Sequence, residues 1–173
     1  MRQSVVASVA VMAAAALLGA CGQSQTTIST PAGTVTTKQN GATASVTVKT
    51  QKGTASFQAG GGLPSGFPHA VPLPSTGHLS SAIRESSNGS SAYLVSYGLN
   101  VSLPAGLSAY DAKLSSAGFR ESSNLETSGS SGATSGALQS WTSSAWIIAV
   151  VGASATQSSS ASLTITVRAA TSG

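Results

Sequence analysis

Side chains that carry chemistry are scarce in this 173-residue chain: charged residues make up 7% and aromatics 5%, there are two histidines, and Cys21 is the single cysteine. One cysteine leaves no intramolecular disulfide, so the fold has to hold by burial of apolar side chains. A metal centre needs three or four converging ligands. His69 and His78 stand nine apart in a proline-rich stretch and no second thiol exists, so neither a metal nor any other cofactor is expected. Eight Lys and Arg against four Asp and Glu give a net charge of +4. The basic residues Lys38, Lys49, Lys52, Arg84, Lys113, Arg120 and Arg168 are scattered among Ser, Thr and Gly. Displacing counterions from phosphates takes clustered cations, so nucleic acid is not an expected partner. The acids Glu85, Asp111, Glu121 and Glu126 form no buried pair that would raise a carboxyl pKa for acid–base work, and they read as solvated charges.

Long apolar runs are also missing, with one short exception at the amino terminus. After Met1-Arg2-Gln3, with its one basic side chain, Val5 to Ala20 is almost wholly apolar. A membrane-crossing helix takes about 20 apolar residues. A basic start, a short apolar middle and a small-residue exit are instead the marks of a secretory signal peptide. The exit reads Leu17-Leu18-Gly19-Ala20-Cys21-Gly22. It resembles the lipobox of bacterial lipoproteins, an apolar residue, two small residues and a cysteine, with Leu18, Gly19, Ala20 and Cys21 in the four places. The resemblance implies that a signal peptidase recognises Leu18, Gly19 and Ala20 and removes residues 1–20, and that the Cys21 sulfur carries a diacylglyceryl group. It also implies that membrane lipid is a partner through the acyl anchor, with the remaining chain extracytoplasmic on the cell membrane or the outer membrane. The residue types suit that chemistry. Small side chains let extended backbone enter the peptidase groove, and a thiol is the nucleophile that takes the lipid as a thioether.

Beyond Cys21 the chain divides by composition. Residues 21–32, polar and without periodicity, read as a flexible tether. In residues 33–62, Thr34–Thr37, Thr43–Lys49 and Thr54–Gln58 carry β-branched residues at period two, interrupted by Asn40-Gly41 and Lys52-Gly53. That pattern predicts a short β-meander whose apolar face, Val35, Val46, Val48 and Phe57, is thin. Four of the six prolines lie between Leu63 and Pro74, an extended segment anchored by Phe67, Val71 and Leu73. Residues 63–173 hold seven of the eight aromatics and form the expected domain. Strands are predicted at Leu79–Glu85, Ala92–Gly98, Phe119–Leu125, Leu138–Thr142, Ala145–Val151 and Ser162–Arg168. A helix opens at Pro104, places Leu103, Leu107, Tyr110 and Leu114 on one side, and stops at Gly118-Phe119. Ala145–Val151 is apolar on both faces and is expected to be central. The whole reads as an α+β fold: an antiparallel sheet with one packed helix, preceded by a short β-meander and a proline-rich segment. The succession of Leu63-Pro64, Phe67-Pro68 and Val71-Pro72-Leu73, a strand pair, a helix ending Leu114…Gly118-Phe119 and closing strands is similar to a widespread set of bacterial envelope lipoproteins. That likeness rests on packing motifs and implies a fold and a location, with no activity.

Two functions follow as expectations. A non-catalytic binding or scaffolding module at the membrane surface, facing an envelope protein or polymer, would use exposed aromatics, for which Tyr93, Tyr97 and Trp141 are the candidates. A small serine hydrolase would draw on the 34 serines with His69 or His78 as base. However, Gly129-Ser130-Ser131-Gly132 lacks the strand–turn–helix setting of a nucleophile elbow, so no enzyme is expected.

Overall fold

The computed structural model describes residues 23–41, 43–59, 62–87, 89–127, 135–154 and 161–170. The elements in chain order are β1 (Ser24–Thr30), β2 (Gly33–Asn40), β3 (Thr43–Thr50), β4 (Gly53–Ala59), β5 (His78–Ser87), β6 (Ser90–Leu99), α1 (Leu103–Ser116), β7 (Arg120–Thr127), β8 (Ser135–Thr142), β9 (Trp146–Ser154) and β10 (Ala161–Ala169). All ten strands belong to one antiparallel sheet ordered β1-β2-β3-β4-β5-β6-β10-β9-β8-β7. From β6 the chain crosses by α1 to the far edge, β7, and returns strand by strand until β10 closes between β6 and β9.

This architecture is β-dominated and corrects the α+β expectation. Two pairings account for the difference. The expected tether supplies β1, in which Ser24–Thr30 pair residue for residue with Gln39–Gly33. Its threonines suit a pleated surface, where cross-strand hydroxyls meet, as Thr27 and Thr36 do at 3.4 Å between their Oγ1 atoms. The expected separate meander continues the main sheet, because Thr54–Ala59 of β4 pair with Ser86–Ser81 of β5.

The helix begins with Pro104 in its first turn, where the missing N–H is no loss, and Ser102 stands before it in extended conformation. It ends on Gly118 at φ +85°. The Gly118 N–H donates to the Ser115 carbonyl and the Phe119 N–H to the Leu114 carbonyl, both at 3.0 Å, and Phe119 is buried as the apolar clasp. A Cβ at Gly118 would meet nothing within 4 Å. Gly118→Ala should therefore cost about 1–2 kcal/mol through backbone conformation alone, read as a lower urea midpoint at unchanged m-value.

Burial alternates along the strands and places the core on one face. Tyr93, Val95 and Tyr97 of β6, Leu163, Ile165 and Val167 of β10, and Ile148 and Val150 of β9 face Leu103, Leu107, Tyr110 and Leu114 of α1. The proline-rich segment seals the side of this core, with Phe67 and Val71 buried. Tyr110 Oη donates to the Pro72 carbonyl and Lys113 Nζ to the Leu73 carbonyl, each at 3.1 Å, and Arg84 Nη1 donates to the Ser65 carbonyl at 2.9 Å. β9 does lie inside the sheet, but its second face is open: Val151 is 46% exposed. Its two apolar faces therefore reflect one covered side and one uncovered side.

Candidate functional site: the uncovered face of the sheet

Residues Leu18, Gly19, Ala20 and Cys21 lie outside the described residues, as does Gly129-Ser130-Ser131-Gly132. The three aromatic candidates are all in the core, with Tyr93 5%, Tyr97 6% and Trp141 4% exposed. They are packing residues and form no platform for a ligand. Tyr93 meets Phe67 edge to face at 5.6 Å between ring centroids, with the Arg84 guanidinium 5.9 Å from its ring. Trp141 pairs with Ile148 and Glu121 on the neighbouring strands. Below the helix, Gln139 Nε2 donates to Asp111 Oδ2 at 3.1 Å, which gives the one buried polar side chain of the described core a charged partner.

His69 is exposed beside Phe67, Pro68 and Leu73 in a shallow depression, and His78 is exposed across Gly98 at the start of β5. Neither imidazole makes a hydrogen bond among the described residues, so the structure does not bring a serine and a base together there. Among the described residues no three His, Cys, Asp or Glu side chains converge as a metal site would require. Glu85 and Glu121 are exposed on separate strands.

The buried tyrosines give the fold a pH dependence. Desolvation raises the Tyr97 phenol above its ordinary 10.0. Tyr110 is raised much further, first by desolvation and then by Tyr97 and Asp111. A phenol whose pKa is higher in the folded chain favours folding while it stays protonated in both states. That stability is fully present below about pH 10 and is lost as the pH rises from there toward the folded-state value. Urea midpoints should thus stay level on the neutral side and fall steeply above about pH 10. Tyr110→Phe should flatten the fall, and an unchanged slope in that variant would show that Tyr110 does not cause it.

A surface of a different kind lies on the side of the sheet opposite α1. No residue of β1, β2, β3 or β4 is buried, so this part of the sheet is a single layer. Its two sides differ sharply in polarity. One carries Thr27, Thr36, Thr47 and Ser56 in one cross-strand row and Lys38, Ser45 and Gln58 in another. The other carries Ile28, Val35, Val48 and Ala55 in one row and Val46, Phe57, Ile83 and Leu94 in the next. Ile28 is 53% and Phe57 39% exposed. A second apolar row, Leu125, Leu138 and Val151, crosses β7, β8 and β9 on the same side. Between the two patches runs β10, which presents Ser162, Thr164 and Thr166 there.

Sequence reasoning identified the thin apolar face of the meander but missed Ile28, since the segment around it lacks apolar periodicity. It also missed that Leu138 and Val151 face away from the helix. The signal for the single layer is present in the sequence: threonine, serine and lysine occupy the alternate positions Thr34, Thr36 and Lys38 of β2 and Thr43, Ser45, Thr47 and Lys49 of β3, opposite the valines. The chain matches no protein-family model, no curated protein and no solved structure.

Proposed function

We propose that the chain is a lipid-anchored lipoprotein of the bacterial cell envelope, a non-catalytic binding or scaffolding module held on the extracytoplasmic side of a membrane. The observation that carries this reading is the order Leu18-Gly19-Ala20-Cys21 after a short apolar run, with the single cysteine of the chain at the position that would take the lipid. β1 starts at Ser24, three residues after Cys21, and three residues of chain span at most about 11 Å, so an anchor at Cys21 would sit close to the free edge of the sheet. The module would therefore ride close to the bilayer. The binding surface in this reading is the uncovered sheet face, and the buried Tyr93, Tyr97 and Trp141 take no part in it.

Intact mass of the chain from the membrane fraction, beside Cys21→Ala, tests the anchor. A chain beginning at Cys21 and heavier by a diacylglyceryl group, with the variant left unprocessed, is the expected result. An unacylated chain cut elsewhere would make this a freely secreted protein and overturn the reading.

A further inference from the structure

We infer that β1 is an interaction edge that pairs antiparallel with β1 of a second copy of this chain, joining the two sheets across a twofold axis at Thr27. The two ends of the sheet are built differently. β7 is guarded: it carries Arg120, Glu121 and Glu126, and its register slips between Glu121 and Ser123, where the Ser122 hydroxyl donates to the Ser140 carbonyl at 3.0 Å. Charge and a bulge are devices that keep a sheet edge from taking another strand. β1 has neither. Ser24–Thr30 hold no charge and no proline, pair with β2 without an irregularity, and are exposed at every residue. Such an edge offers its outward N–H and C=O groups as a template.

The turn fixes which groups those are. Only Pro31 and Ala32 separate Thr30 from its partner Gly33, so that pair is hydrogen-bonded, and the alternation that follows turns the backbone of Ser24, Thr26 and Ile28 toward β2. Gln25, Thr27 and Ser29 therefore turn theirs outward. With Thr27 on the twofold axis, Thr27 faces its own copy, Gln25 faces Ser29, and every outward donor meets an acceptor; any other centre leaves residues of the strand unopposed. Side chains agree with that register. An axis perpendicular to the sheet keeps each side of the sheet on its own side, so the row Thr27, Thr36, Thr47 and Ser56 continues into its own copy. On the apolar side Ile28 stands opposite Thr26 and becomes the diagonal neighbour of the second Ile28. The nearest cation, Lys38, stands on β2, so its two copies lie at least three strand spacings apart, about 14 Å, beyond the Debye length. A foreign extended peptide fits less well, because β1 pairs with β2 alone and, among the described residues, nothing beside the edge forms pockets for a peptide's side chains.

The inference is independent of the lipid anchor, and its test uses residues 21–173 with Cys21→Ser, a chain that cannot be acylated and has no other cysteine. Sedimentation equilibrium should show a concentration-dependent dimer. Thr27→Pro, which removes an outward N–H that β2 does not use, should weaken dimerisation about tenfold or more while circular dichroism shows the fold kept. Ser123→Lys on β7 should leave the dimer unchanged. In the same background, chains with Thr26→Cys mixed with chains with Ile28→Cys should form a disulfide across the pair, since these residues stand opposite with Cα atoms about 4.5 Å apart. A chain that sediments as a monomer throughout would overturn the inference, and a dimer without that cross-link would overturn the register. A dimer that survives Thr27→Pro but is lost with Phe57→Ser would also overturn it and assign the contact to the apolar face; one lost with Ser123→Lys would assign it to β7. An acylated Cys21 in cells beside a monomeric chain in solution would sink this inference alone, and an unmodified Cys21 beside an intact dimer would sink the anchor reading alone.

Discussion

Ile165→Ala is expected to cost about 2–5 kcal/mol, enough to lower the melting temperature by roughly 10 °C in a domain of this size. Ile165 is 0% exposed at the middle of β10, and both its cross-strand neighbours, Val95 and Val150, are fully buried as well. Removing its side-chain carbons leaves a cavity that three strands and the helix cannot easily close. β10 is also the strand that joins the two halves of the sheet, since it pairs with β6 on one side and β9 on the other. Thr164, the preceding residue, faces the uncovered side, where its hydroxyl meets Ser96 Oγ at 3.4 Å. Thr164→Ala should therefore stay below about 1 kcal/mol. The ratio of the two, from urea unfolding, reports which face of the sheet is core. Equal effects would mean that both sides of β10 are covered, and the open face described above would not exist.

The strands themselves were largely legible in the sequence, because alternation is a local property. Val46-Thr47-Val48, Tyr93-Leu94-Val95 and Leu163-Thr164-Ile165 each announce a pleat, and Pro104 with Gly118 brackets the helix within a residue or two. What local pattern does not carry is which strand lies beside which. Nothing in Thr54–Gln58 announces that it pairs with β5, nor in Ser162–Arg168 that it inserts between β6 and β9. Those pairings turned an expected small α+β domain with a detached meander into one ten-stranded sheet.

Side-chain placement followed the same division. Tyr93, Tyr97 and Trp141 stand at strand positions whose alternation is plain, but whether that side is covered depends on where α1 and the proline-rich segment settle. Pro72 and Leu73 are held there by Tyr110 and Lys113, contacts that span 38 and 40 residues. A threonine-rich stretch such as Ser24–Thr30 fits equally a tether and an edge strand. Its partner β2 decides between them by supplying a full run of cross-strand pairs. The features that now look most functional are the apolar residues without a cover, and exposure is the property that sequence pattern conveys least.

The corner where the proline-rich segment enters the sheet gives the second large effect. Gly77 has φ +131°, and a Cβ built there would stand 2.3 Å from the Gly98 carbonyl oxygen and 3.1 Å from Leu99 Cα. Both obstacles are backbone of β6, a strand fixed on its far side by β10, so neither can turn away as a flexible side chain would. Gly77→Ala therefore combines a disfavoured backbone conformation with a collision that separates the first pair of the β5–β6 ladder, His78 with Gly98. The expected cost is about 2–4 kcal/mol. Gly89 supplies the control: its φ is +77° and a Cβ there meets nothing within 4 Å, so Gly89→Ala bears the conformational cost alone, about 1–2 kcal/mol. The difference between the two variants in urea unfolding isolates the close approach of the backbones. If Gly77→Ala proved no worse than Gly89→Ala, β5 would not enter the sheet beside Gly98 as described, and the seating of the proline-rich segment against the core would fail with it.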